Sequence, residues 1–322
     1  MDCGSQQGGR HAATRWREAV RPGDWFEREP SAICVTHYHT DHYNGLVWAA
    51  RAPSFPRLRG FDTLLHPATP TPQTRDLLRA TLAFRAYVAG FQGLPMELDL
   101  WRRIARLNDV GPVARRALVQ GDSLDVAGVH LEIAWPPPTL GPEVTERVQD
   151  ALATFHDLME SPSREPLREL YRRSEEVGLE PEEVIEPTEP SVEDETSPEP
   201  ELSAEDVLDA DPELKKVNDR LRRAANHLSL AFVADGRVLC LGDLDGRPLA
   251  AAVEYVVAVL GMDFDVIVPP HHGTQWHPTM DKLRGGTVAV PVGGRLWEHV
   301  CPELGRLSGD VRFSRVVGDV WL

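Results

Sequence analysis

The 322-residue sequence predicts an α/β fold, and three features predict it. Short β-branched runs such as Ala32-Ile33-Cys34-Val35 and Phe264-Asp265-Val266-Ile267-Val268 have the length and composition of buried strands. Longer stretches with apolar residues at helical spacing lie between them, so strands and helices alternate along the chain. Several strand-like runs end in loops dense with His and Asp, side chains that a rigid strand end can bring together on a cation. A chain of this length can bury a substantial core as one large domain or two smaller ones. No apolar run approaches the length of a membrane span, and the polar, glycine-rich start lacks a signal-peptide h-region. Cys3, Cys34, Cys240 and Cys301 are far apart and form no C-x-x-C pair; Cys34 and Cys240, inside apolar strand-like runs, read as buried, reduced thiols, which suits a cytoplasmic protein.

The net charge of -16 is concentrated in one place. Between Ser174 and Leu214 lie 17 acidic residues and no Lys or Arg, which leaves the rest of the chain close to neutral. The acidity is therefore a property of one segment and not of any binding site. Lys occurs only at 215, 216 and 282, and the Arg-rich remainder forms no basic patch interleaved with aromatics of the kind that reads nucleic acid.

Taken in order, the first strand (Ala32 to Val35) runs into Thr36-His37-Tyr38-His39-Thr40-Asp41-His42. Imidazole nitrogen and carboxylate oxygen are the donors Zn²⁺ takes, and H-x-H-x-D-H packs four of them into six residues. A helix is expected from Tyr43 to Ala50, then a loop around a short strand, Thr63 to His66. Apolar residues from Leu77 to Leu107 recur at helical spacing, broken near Gly90, Gly93 and Pro95. They predict a helical insertion over 72–110, either a cap near the site or ordinary packing helices. Strands are expected again within 117–135, and residues 143–173 carry a weak helical period. The Pro/Glu-rich segment 157–215 has too few apolar residues to offset ordering entropy and is expected to be a disordered acidic insertion. Asn226 to Val233 and Arg237 to Leu241 read as a hairpin ending at Gly242-Asp243. An alanine-rich helix (248–260) leads to the strand Phe264 to Val268, which ends at Pro269-Pro270-His271-His272-Gly273-Thr274. A strand (Thr287 to Pro291), a helix (Leu296 to Leu307) and a last strand (Val316 to Leu322) complete the expectation.

H-x-H-x-D-H resembles the signature of the metallo-β-lactamase-fold hydrolases. The stretches from Gly121-Asp122 to Pro137 and "N-H-x-S-L…L-G-D…D-V-I-V-P-P-H-H-G-T" are similar, in order and spacing, to the hydrolase domain of competence-type DNA-uptake channel proteins. The resemblance covers most of the chain outside the two insertions. It implies a single domain over 1–322 with an αβ/βα sandwich fold and two divalent metal ions, Zn²⁺ by donor type. One ion would take His37, His39 and a third residue, with Asn226 and His227 as candidates and His227 the better donor. The other would take Asp41, His42 and one of His271 and His272, with His271 preferred, and Asp243 would bridge the pair. Asp2, in Asp2-Cys3-Gly4-Ser5, matches a family turn and would orient a ligating His. The strands that precede this turn in the family are then missing, which implies either a truncated start, the preferred reading, or an exposed sheet edge that invites aggregation.

Two such ions lower the pKa of water towards about 7 and neutralise charge on a phosphoryl or carbonyl oxygen. Asp41, His42 and Asp243 are the expected catalytic set, while His272, Thr274 or His277 could serve a leaving group. By resemblance the substrate is a phosphodiester, as a small nucleotide or in nucleic acid. A lactone, thioester or β-lactam would use the same metals, and a binding protein with a vestigial site is the reading from another class. Without a membrane domain, DNA transport itself is not implied, and protein partners are not indicated.

Overall fold

The computed structural model describes residues 31–51, 61–91, 100–108, 111–126, 128–174, 182–185, 204–292 and 296–314. The N-terminal expectations, including the turn at Asp2, and the strand Val316 to Leu322 lie outside these residues. In chain order the elements are β1 (Ser31–Cys34), α1 (Thr40–Arg51), β2 (Phe61–Pro67), α2 (Pro72–Phe91) and α3 (Leu100–Ala105). Then come β3 (Val113–Leu118), β4 (Ser123–Val126), β5 (Val129–Trp135), α4 (Pro142–Glu160), α5 (Glu165–Arg173) and β6 (Glu182–Ile185). Helices α6 (Ala204–Ala210) and α7 (Pro212–Asn226) lead to β7 (Ala231–Ala234) and β8 (Val238–Cys240). The chain continues through α8 (Gly246–Tyr255), β9 (Asp263–Val268), β10 (Arg284–Val290) and β11 (Val311–Phe313).

The protein is mixed α/β, with two sheets. One is ordered β1-β2-β3-β6, the other β11-β10-β9-β8-β7-β5-β4. Strand alternation sorts the apolar residues into layers. Leu65, Leu118, Ile133, Phe232 and Cys240, drawn from both sheets, pack together as the core between them. Leu64, one residue away from Leu65, points to the opposite face and packs with Leu46 of α1 and Trp101 of α3. On the larger sheet, Ala231, Val233 and Leu239 face the helical layer that contains Phe84, Phe155, Leu221 and Val253. The order across the molecule is helix, sheet, sheet, helix. A register shift between Ile133 and Trp135 turns the indole out of the inter-sheet core to the helical side, where Nε1 donates to the His227 carbonyl at 2.8 Å.

Three expectations are corrected. Much of segment 157–215 is ordered: α5 buries Leu167 and Leu170, β6 pairs antiparallel with β3, and α6 and α7 bury Val207 and Leu214. A 2.5 Å ion pair from Arg164 to Asp211 ties this region down, and Asp211 also caps α7. Sparse apolar residues at helical spacing suffice when a neighbouring helix accepts them. Asn226 and His227 do not open a strand; they are the last residue and the C-cap of α7, because the helical period continues through Ala224 and Ala225. The helix expected from Leu296 to Leu307 is two short 3₁₀ turns, Trp297–His299 and Pro302–Arg306, separated by extended Val300 and Cys301 just before Pro302. Among the described residues no helix is long and apolar enough to cross a membrane.

Next to the site, β2 carries a buried titratable group. His66 stacks on Trp101 with ring centroids 4.5 Å apart, and its Nδ1 lies 3.1 Å from the Tyr38 hydroxyl and 2.9 Å from the Pro67 carbonyl. Burial, aided by the Arg115 charge, lowers its pKa to about 3, against the pull of the Pro67 carbonyl. The unfolded chain binds this proton below about pH 6.5 and the folded chain does not. The contribution of His66 is therefore complete above pH 6.5 and is lost as the pH falls towards 3, at about 1.4 kcal/mol per unit. Urea unfolding at pH 7 and pH 5 should show a steeper loss for wild type than for His66→Gln. Equal losses would contradict this account.

Candidate metal centre

The site is built where strands of both sheets end. From the smaller sheet, β1 stops at Cys34 and the chain crosses to α1 through Val35 to His39. That crossing is pinned on both sides: Val35 N–H donates to the Leu65 carbonyl of β2, and Leu230 N–H donates to the Thr36 carbonyl. His37 is thereby fixed in the loop and His42 in the first turn of α1, both buried, while His39 is half-buried. From the larger sheet, parallel strands β8 and β9 end side by side. Asp243 lies in the loop after β8, and His271 and His272 follow β9 and its two prolines. The loops are coupled, since His271 N–H donates to the Gly242 carbonyl at 2.9 Å.

Asp243 Oδ2 is the hub. It lies 3.3 Å from His42 Nε2, 3.8 Å from His271 Nε2 and 3.9 Å from both His37 Nε2 and His272 Nε2. Two donors about 2.0–2.1 Å from one tetrahedral ion sit roughly 3.3 Å apart, so these spacings suit shared ligation. Donor atoms within 4.8 Å of one another form two groups, His37-His39-His42 and His42-Asp243-His272. Hydrogen-bonding neighbours fix the other side of the rings. With Nε2 as metal donor, His37 and His42 carry their protons on Nδ1, which lie 3.2 and 3.5 Å from the Thr36 hydroxyl oxygen. His272 Nδ1 lies 3.0 Å from the Pro291 carbonyl, an acceptor that leaves the Nε2 lone pair towards Asp243.

The local backbone is strained. His271 and His272 both adopt positive φ, 49° and 58°, which costs a side-chain-bearing residue energy that the surrounding structure must hold in place. Gly273 continues the turn at φ 80°, and a Cβ there would lie 2.7 Å from Val290 Cγ1. Burial would raise the Asp243 pKa, but the facing His42, His37 and His272 outweigh it, so the carboxylate is held well below its ordinary range. Burial lowers the pKa of His271, with Asp243 opposing.

Measured against the expected ligand set, His37, His39, His42 and Asp243 come together. Of the two late candidates, His272 falls in a donor group and His271 does not, yet their Nε2 atoms lie at nearly equal distances from Asp243 Oδ2, 3.9 and 3.8 Å. The side chain of Asp41 lies outside the described residues. His227 is in neither donor group: its Nε2 pairs with Asp245 at 2.6 Å, and its buried Nδ1 has no hydrogen-bond partner among the described residues. Asn226 is buried beside it with Oδ1 in the same condition. Thr274 is turned away from a donor role, its hydroxyl donating to the His271 carbonyl at 2.7 Å. Asp245 is the residue that sequence reasoning missed. The His227 hydrogen bond overcomes its burial and keeps it ionised below the usual carboxylate range. The signal available for it was its place two residues beyond Asp243 in the same strand-end loop. Compared with protein-family models, with curated proteins and with solved structures, the chain matches none.

Proposed function

We propose that the chain is a metal-dependent hydrolase of the metallo-β-lactamase fold, acting on a phosphodiester of a nucleotide or nucleic acid. The observation that carries the reading is the convergence of His37, His39, His42 and His272 with Asp243, from strand ends of two different sheets. The helix–sheet–sheet–helix layering agrees with the αβ/βα sandwich that the motifs imply. Two divalent cations, Zn²⁺ by donor type, would be held by these residues, and when bound they supply water of lowered pKa and a charge sink for the phosphoryl oxygens.

The chain's own residues do the rest. Asp243 fixes the spacing of the donor imidazoles around one oxygen. Thr36 and the Pro291 carbonyl hold the rings in the tautomer that exposes Nε2. His271 lies beside Asp243 but outside the donor groups, and from there its Nε2 can pass a proton to a departing oxygen.

The test is hydrolysis of bis(4-nitrophenyl) phosphate, a lactone, a thioester and a β-lactam by zinc-loaded protein and by protein stripped with a chelator. The expected result is phosphodiester cleavage that disappears on stripping and returns with zinc. Cleavage of only a carbonyl substrate would reassign the substrate class. A folded protein that takes up no zinc would overturn the metal reading and favour a binding role.

A further inference from the structure

Away from the metal centre, Ser123, Asp125 and His130 meet on one hairpin of the larger sheet. Among the described residues β4 is the edge strand there, and it pairs antiparallel with β5. Ser123 and Asp125 are two residues apart, so their side chains share one face of β4, and His130 stands directly across from Asp125 on that face. His130 Nδ1 lies 2.8 Å from Asp125 Oδ1, and its Nε2 lies 3.2 Å from Ser123 Oγ. A carboxylate only accepts, so Nδ1 carries the ring proton and Nε2 is left to accept from the serine hydroxyl. Nucleophile, base and orienting carboxylate therefore stand in the order that activates a serine. The His130 backbone is tied from its other side, its N–H donating to Asp235 Oδ1 at 2.8 Å and its carbonyl accepting from the Asp235 N–H at 2.8 Å. Facing residues Asp125 and His130 thus exchange no ladder bonds, and by alternation neither do Ser123 and Glu132. The Ser123 N–H then points off the sheet edge, with no acceptor among the described residues, and is available to an oxyanion beside Oγ. The Asp125 hydrogen bond, with the charges of Glu132 and Asp235, holds the His130 pKa above its ordinary value, which favours the imidazolium formed when the ring takes the serine proton.

We infer that Ser123, His130 and Asp125 form a second reactive site, a serine nucleophile with its base and a positioning carboxylate, which is acylated by activated carboxylic esters. Ser123 Oγ attacks the acyl carbon, and its proton passes to His130 Nε2. The ester C–O bond breaks as that proton moves on to the departing aryloxide. Water then hydrolyses the acyl-serine with His130 as base, which restores the hydroxyl. Ser123 and Asp125 are exposed, so the site is open to water and suits an ester with a good leaving group rather than an amide. The step uses none of the metal donors, and the inference stands apart from the hydrolase reading of the centre at Asp243.

Peptide-mapped labelling of the full chain tests it, with 4-nitrophenyl acetate and a fluorophosphonate as probes and a chelator present to strip the metal centre. Wild type is expected to carry the acetyl or phosphonyl group on Ser123 and none on Ser163, an exposed serine whose hydroxyl bonds to that of Ser161 at 2.9 Å. Ser123→Ala is expected to lose the adduct, and His130→Gln to slow its formation at least about 100-fold, with circular dichroism unchanged. Asp125→Asn should slow labelling and also move the midpoint of its pH profile down, because the imidazole loses the carboxylate that raises its pKa. A merely structural role for Asp125 would leave that midpoint in place. Ser123 labelled no faster than Ser163, or labelled as fast in folded His130→Gln as in wild type, would overturn the site.

Discussion

Asp243→Ala is expected to lower zinc content from about two ions per chain to one or none, and to cut hydrolysis at least about 100-fold. The size of the effect follows from geometry. One oxygen of Asp243 is the common neighbour of four imidazole Nε2 atoms, at 3.3 to 3.9 Å. Its removal takes away a ligand and also the negative charge that balances cations placed among neutral rings. Asp243→Asn keeps the volume but removes that charge, so it should fall close to Asp243→Ala. Metal analysis on the dialysed proteins, beside the rate on bis(4-nitrophenyl) phosphate, decides the matter. Zinc content and rate both at wild-type level would remove Asp243 from the centre.

The residue just before it should be nearly as intolerant, through the fold. Gly242 has φ 54°, and a Cβ there would lie 2.5 Å from the Leu230 carbonyl oxygen and 2.8 Å from Ser229 Cβ. Neither neighbour is the far end of a flexible side chain, so the loop carrying Asp243 must move. Gly242→Ala combines a left-handed conformational cost of about 1–2 kcal/mol with an overpacking cost of about 1–3 kcal/mol. Gly128, at φ 76° with nothing within 4 Å of its would-be Cβ, is the matched control that bears the first cost alone. Urea midpoints should therefore fall markedly further for Gly242→Ala than for Gly128→Ala. The same shift for both would mean that the close approach to Leu230 is unimportant.

The strand ends that carry the site were legible in the sequence because their signals are local. A β-branched run stopping at His or Asp needs no partner to be recognised, so β1, β8 and β9, with His37, His42 and Asp243, were found directly. How His271 and His272 present themselves to Asp243 is not local information. It depends on a turn in which both residues take positive φ, and on the Pro291 carbonyl arriving from beyond β10 beside His272 Nδ1. His227 was misplaced for a related reason: whether Ala224 to His227 extends a helix or opens a strand is settled by the packing of α7 against α4, with Leu221 and Val148 in one core. The acidic segment misled because composition records how few apolar residues it has, while Leu167, Leu170, Val207 and Leu214 are few but all buried.

The two halves of the donor set come from opposite sides of the inter-sheet core, with His37 and His42 following β1 and Asp243 and His272 following β8 and β9. A cation held among them would take ligands from both sheets at once. Its affinity would then depend on the packing that keeps the two layers in register, including Leu65 against Phe232 in the core between them, as well as on the individual ligand bonds.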